Sequence, residues 1–304
     1  MSILVVGTVA FDAIETPFGK TDKIVGGAAT YICLAASFFT KKINLVSVVG
    51  QDFPTKTIKL LQKKGTDTTG LQIKKGKKTF YWSGKYHNNM NSRDTLDTQL
   101  NVLEGFDPVV PKEFLNSEIL MLGNLMPSVQ TKVLDQMKKR PKLIVLDTMN
   151  FWMDNFLQDL LPALKNVDVL TINDEEARQL SEEYSLVRAA KKILKMGPKN
   201  LVIKKGEHGA LLFSKNEVFY TPALPLENVF DPTGAGDSFA GGFVGYLEKT
   251  KDFSFENMKR AVVYGSVMAS FCVEKFGTEQ LINTNQDQIT RRLKSFKKLM
   301  SCDF

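Results

Sequence analysis

Asp231-Pro232-Thr233-Gly234-Ala235-Gly236-Asp237-Ser238-Phe239-Ala240-Gly241-Gly242 joins an extended dipeptide to a helix through a turn of small residues. Pro232 keeps Asp231 out of the helical region, and Gly234 and Gly236 let the backbone turn tightly with its N–H groups pointing one way. Consecutive free amides at a helix start form an anion hole that the helix dipole reinforces, so a phosphate can sit there without a lysine. Asp237 falls in the first turn, with its carboxylate at the mouth of that hole. A carboxylate so placed can take the proton from an attacking hydroxyl as a phosphoryl group arrives. The same residues also suit a plain capped helix start, because Asp is favoured there and Gly permits the bend.

Outward from this segment, short β-branched runs alternate with helix-length segments, the pattern of a parallel sheet covered by helices on both faces. Strands are expected at 3–6, 43–49, 119–122, 143–146, 167–172, 201–204, 210–213 and 218–220. Helices are expected at 28–39, 55–64, 129–139, 174–182, 186–196, 237–249, 255–273 and 286–299. The fold class is therefore α/β, a doubly wound and mostly parallel sheet in one domain over residues 1–304. Two segments break the rhythm: 11–25 and 72–103 are polar, carry interleaved aromatics (Phe80, Tyr81, Trp82, Tyr86) and are too long for ordinary connections. Alternation in 79–85 suggests strands, and the segments read as a small antiparallel flap over the main sheet, or as a surface hairpin whose aromatics cluster among themselves.

Composition removes several function classes. The 304 residues carry 40 Lys+Arg against 33 Asp+Glu, a net charge of +7, but the lysine pairs are scattered rather than gathered into a nucleic-acid patch. No apolar run approaches the roughly 18 residues of a membrane span, and the first residues lack a basic region and a cleavage site, so a cytoplasmic protein without a membrane partner is expected. Cys33, Cys272 and Cys302 form no CxxC pair, and two histidines cannot complete a zinc site with them.

Competing signatures fail on spacing. Gly236-Asp237-Ser238-Phe239-Ala240 imitates a nucleophile elbow, yet His87 and His208 both precede Ser238, the reverse of the order that fold requires. Gly70 to Thr79 imitates a P-loop, but five residues separate Gly70 from Gly76, and Lys78 stands where Ser or Thr should hold magnesium. After the first strand only Gly7 appears, without a dinucleotide GxGxxG.

The Asp231–Gly242 segment resembles the C-terminal signature of the ribokinase, or PfkB, family of carbohydrate and nucleoside kinases. Gly7, Asp12, Gly26-Gly27 and Ala28-Ala29-Thr30 resemble its looser N-terminal signature, so the likeness spans essentially the whole chain. Asn173-Asp174-Glu175-Glu176 looks like the family's N-x-x-E motif, and Lys204-Lys205-Gly206-Glu207-His208-Gly209 occupies the place of its nucleotide-contacting strand and turn. The resemblance implies a transferase that moves the γ-phosphoryl group of ATP to a hydroxyl of a sugar, or alternatively of a nucleoside; a sensor that has lost catalysis is a remoter alternative. It implies Asp237 as base, with the N–H groups of Ala235, Gly236 and Asp237 holding the migrating phosphoryl beside Gly234. Asn173 and Glu176 would hold magnesium through water, or else form a capping box. Asp12, Gly26 and Gly27 would hold substrate hydroxyls, Lys204, Gly206, Gly209 and Thr233 would contact nucleotide, and Asp231 and Thr233 lie where some members bind a monovalent cation. The flap would close over the sugar, and a homodimer through paired flap edges is the expected assembly.

One departure bears on substrate. Many sugar-kinase members place an Asn four positions after the second paired glycine, and Tyr31 stands there instead. Asn124 and Asn150, each following a strand, are the candidates to replace that amide.

Overall fold

The computed structural model describes residues 1–301; Cys302 lies outside the described residues, and Cys33 and Cys272 are buried free thiols. The chain runs β1 (Ile3–Val6), β2 (Ala10–Thr16), β3 (Gly19–Lys20), β4 (Ile24–Gly26), α1 (Ala28–Ala36), β5 (Ile43–Gly50), α2 (Thr55–Lys64), β6 (Thr66–Lys74), β7 (Tyr81–Tyr86) and β8 (Arg93–Gln99). It continues through β9 (Ile119–Leu122), α3 (Pro127–Gln136), β10 (Leu143–Asp147), α4 (Asn150–Asn155), α5 (Leu157–Leu164), β11 (Val169–Asn173), α6 (Asp174–Ser181), α7 (Leu186–Leu194) and β12 (Asn200–Lys204). The last part comprises β13 (Ala210–Phe213), β14 (Val218–Thr221), α8 (Ala235–Thr250), α9 (Phe255–Cys272), α10 (Glu279–Asn283) and α11 (Gln286–Met300).

Nine strands form the main sheet in the order β14-β13-β12-β11-β10-β9-β1-β5-β6. All neighbours from β12 to β6 are parallel, while β13 and β14 close the far edge antiparallel. Strand β1 shows why the sheet sits where it does. Its four residues are fully buried, with Ile3 and Val5 in one core under α1, α8, α9 and α11, and Leu4 and Val6 in the other under α3, α5, α6 and α7. An apolar run buried on both faces is the mark of a central parallel strand.

Strand β6 was not expected. Its sequence, Thr66-Asp67-Thr68-Thr69-Gly70-Leu71-Gln72-Ile73-Lys74, is polar because it is an edge strand with its outer positions exposed, and the P-loop-like spacing there is incidental to it. The second sheet, β3-β2-β7-β8 with β4 also on β2, covers 10–26 and 81–99 rather than 11–25 and 72–103. It is mixed, not wholly antiparallel: β2 and β7 run parallel, whereas β2–β3, β2–β4 and β7–β8 are antiparallel. Both excursions leave the carboxyl ends of parallel strands, β1 and β6, so their first long strands advance in the same direction. The segment 150–164 also forms two short helices, α4 and α5, split at Phe156 and carrying Pro162, which obscured their period. Among the described residues no helix is long and apolar enough to cross a membrane.

Candidate active site

The site lies at the carboxyl ends of the parallel strands, where open α/β sheets gather their ligand contacts. Gly234 caps α8 in the left-handed region, φ 76°, and the turn before it is tied down by Asp231. That carboxylate accepts the Thr233 N–H through Oδ1 and the Gly277 N–H through Oδ2, each at 2.8 Å. The Ala235 N–H donates to the Pro232 carbonyl at 3.1 Å, so the expected third donor is already engaged. Gly236 and Asp237 remain, and among the described residues their amides have no acceptor. The Tyr31 ring lies directly against this turn: a Cβ on Gly234 would stand 2.5 Å from it. Only glycine fits there.

Asp237, half-buried, is the centre of the electrostatics. Burial pushes its carboxyl up to about 7, and the nearby Asp147 charge adds to the rise, while Lys204 and Arg93 oppose it. Asp147 ends β10 and Lys204 ends β12; Lys204 Nζ donates to Asp147 Oδ2 at 3.1 Å. A Cβ on Gly236 would be 3.0 Å from the same Nζ, which sets the ammonium beside the free amides. Burial favours the neutral amine, but the carboxylates of Asp147, Glu176 and Asp237 outweigh it and hold the Lys204 ammonium above its ordinary range.

Asn173 and Glu176 form the reciprocal capping box. The Glu176 N–H donates to Asn173 Oδ1 at 2.7 Å and the Asn173 N–H to Glu176 Oε2 at 2.8 Å. Glu176 is nonetheless a strained carboxyl, raised to about 7 chiefly by burial, and its Oε1 keeps no hydrogen bond among the described residues. The cap and the site therefore share one glutamate.

On β2, Asp12 is 5% exposed and is raised to about 7 by burial and by Asp231, against a stabilising bond from the Gly27 N–H. A Cβ on Gly26 would be 1.8 Å from Asp12 Oδ2, and Gly27 adopts φ 89° at the start of α1. The paired glycines thus make room for the carboxylate and aim the helix at it. Four residues on, Tyr31 is fully buried and its hydroxyl has no hydrogen-bond partner among the described residues. Asn124, just past the carboxyl end of β9, is already engaged: its Oδ1 accepts the Trp152 Nε1–H at 2.7 Å and its amide nitrogen meets Met149 Sδ at 3.1 Å. Asn150 is exposed at the start of α4.

The second sheet supplies the roof. Register places Trp82 beside Asp12, so the two share a face, and Gly84 and Tyr86 follow at alternate positions. Thr233 Oγ1 donates to the Tyr86 hydroxyl at 3.2 Å, fastening β7 to the α8 turn. The connection after β7 rests on the β12–β13 turn that contains Gly206 and Gly209, where Asn91 Nδ2 reaches Glu207 Oε1 at 3.5 Å. Arg93, exposed at the start of β8, lowers the Asp237 and Glu176 carboxyls from above. Asp147 and Arg93 were absent from the expected site. The one available signal was the acid ending the 143–146 run; for Arg93 nothing local distinguishes it from other surface cations.

Residues 2–285 match the model for the pfkB family carbohydrate kinases. The chain is 30% identical over 249 residues to a cytidine kinase of Thermococcus kodakarensis, covering 80% of this chain and 87% of that protein. It is 25% identical over 289 residues to a ribokinase of Haemophilus influenzae, with 90% of each covered. The crystal structure of Methanocaldococcus jannaschii nucleoside kinase, described as an archaeal member of the ribokinase family, superposes with a TM-score of 0.75 at 21% identity, over 97% of this chain and 98% of that one.

Proposed function

The chain belongs to the pfkB family of carbohydrate kinases, and from that premise we propose that it transfers the γ-phosphoryl group of ATP to a hydroxyl of a small pentose-type acceptor, with Asp237 as the base. The observation that carries this reading is a carboxyl raised to about 7 at the mouth of two free helix-start amides. A base titrating near neutrality is ionised enough to accept a proton and basic enough to pull it. The Gly236 and Asp237 amides and the Lys204 ammonium bind the phosphoryl oxygens as charge builds there. Gly206, Gly209 and Thr233 border the nucleotide. Asp12, with Gly26 and Gly27 beside it and Tyr31 beneath, orients the acceptor, and the second sheet excludes water.

Magnesium fits this site through water. Among the described residues no three His, Cys, Asp or Glu side chains converge to hold a metal directly, while Glu176 offers a buried, under-compensated carboxyl with one open oxygen. When bound, the ion would neutralise charge between the β- and γ-phosphates. Asp231 accepts one protein amide on each oxygen, which assigns it to holding the turn, and the proposed reaction includes no monovalent cation.

A nucleoside acceptor is the second reading. It is favoured by Trp82, whose ring shares the face of Asp12 and could stack on a base, and by similarity to the cytidine kinase. Turnover with cytidine or ribose decides between them: preference for ribose supports the sugar reading, preference for cytidine the nucleoside one. In either reading, Asp237→Asn that retains close to full kcat would remove Asp237 from the base role.

A further inference from the structure

The Lys204 ammonium stands beside the free amides at the α8 start, and it has three carboxylates to choose from: Asp147, Glu176 and Asp237. It bonds to Asp147. The two residues end β10 and β12, the strands on either side of β11, so each backbone is fixed by the sheet while their side chains meet above it. Their side chains are 6% and 16% exposed for Asp147 and Lys204 respectively. Asp147 is itself held: its Oδ1 accepts the Thr148 N–H at 2.9 Å. A lysine stem is flexible and its ammonium is a point charge, so where it sits depends on what anchors it.

We propose that Asp147 is a positioning residue, which anchors the Lys204 ammonium beside the Gly236 amide and keeps it from pairing with the Asp237 carboxylate. Resting on the kinase reading, this assigns Lys204 to the phosphate oxygens of ATP and leaves Asp237 unpaired for the acceptor hydroxyl. Without the anchor the ammonium would settle on Asp237, which both vacates the phosphate position and occupies the base. A buried charge-assisted hydrogen bond contributes about 1.5–3 kcal/mol, or on the order of 10–150-fold.

The test compares Asp147→Asn, Lys204→Met and the double variant, by calorimetric binding of ATP and of AMP and by ADP release with ribose and cytidine. Asp147→Asn is expected to weaken ATP about tenfold, leave AMP unchanged, and lower kcat by about tenfold or more. The double variant should bind ATP no worse than Lys204→Met, because the aspartate acts only through the lysine. Wild-type ATP affinity and kcat in Asp147→Asn would overturn the proposal, as would losses that add in the double variant. If Asp147→Asn fails to fold, Lys204→Met and the double variant, in which both buried charges are gone, still carry the comparison: equal ATP affinities support the anchor and a further loss in the double overturns it. A wild-type protein that binds ATP but releases no ADP with any acceptor would sink the kinase reading, and the ATP-against-AMP comparison would still decide the anchor.

Discussion

Asp12 and Asp237 are raised to about 7 by the same cause, burial of an ionised carboxylate, and this has opposite consequences for turnover and for stability. For turnover, the proposed base role needs the ionised form of Asp237, so kcat/KM should fall about tenfold per pH unit below about 7, and a profile flat down to pH 5 would refute the assignment. For stability, a carboxyl whose folded pKa lies above its unfolded value binds more protons when folded, so its penalty is absent below about pH 4 and complete above about pH 7. Asp12→Asn should therefore unfold at a higher temperature than wild type at pH 8 and at the same temperature near pH 4, with a difference on the order of a few kcal/mol. Equal melting at pH 8 would mean that Asp12 is not penalised by burial. Tyr31→Phe removes a hydroxyl without a partner, so it should leave the melting temperature unchanged or raised, as thermal unfolding can show.

At the scale of elements, the α8 start was legible because its determinants are local. Pro232, Gly234, Gly236 and Asp237 specify the turn, the free amides and the carboxylate within a few residues, and the structure alters only the Ala235 amide. The second sheet was half legible. Alternation in 79–85 disclosed β7, but strand direction depends on where both excursions leave the main sheet, which no local pattern records. β6 was hidden by its polar edge sequence, and Asp147 and Arg93 by the fact that their neighbours, Lys204 and Asp237, are far away in the chain. β8 carries Arg93, whose charge lowers the Asp237 and Glu176 carboxyls. Arg93→Ala should lower kcat by on the order of a hundredfold if that charge, which already acts on both carboxyls, also stabilises the transferred phosphoryl group. Steady-state kinetics with full kcat in this variant would remove it from the site.

Across the whole molecule, the parallel sheet brings strand ends that are up to about two hundred residues apart in the chain to one edge, which is why sequence alternation predicted the architecture while side-chain partnerships had to await it. The second sheet leaves β8 as an outer edge with every residue exposed, Leu96 at 56%. A homodimer through paired flap edges would use this edge, so Leu96→Pro should shift the sedimentation of such a dimer to monomer; unchanged sedimentation would contradict that assembly. Coupled ADP release with ATP and magnesium across pentoses, hexoses, sugar phosphates, polyols and nucleosides, with Asp237→Asn as blank, tests the reaction itself. Turnover is expected with at least one pentose or nucleoside, and the blank should fall nearly to background while still binding ATP. Release of ADP at equal rates by wild type and Asp237→Asn would contradict that expectation.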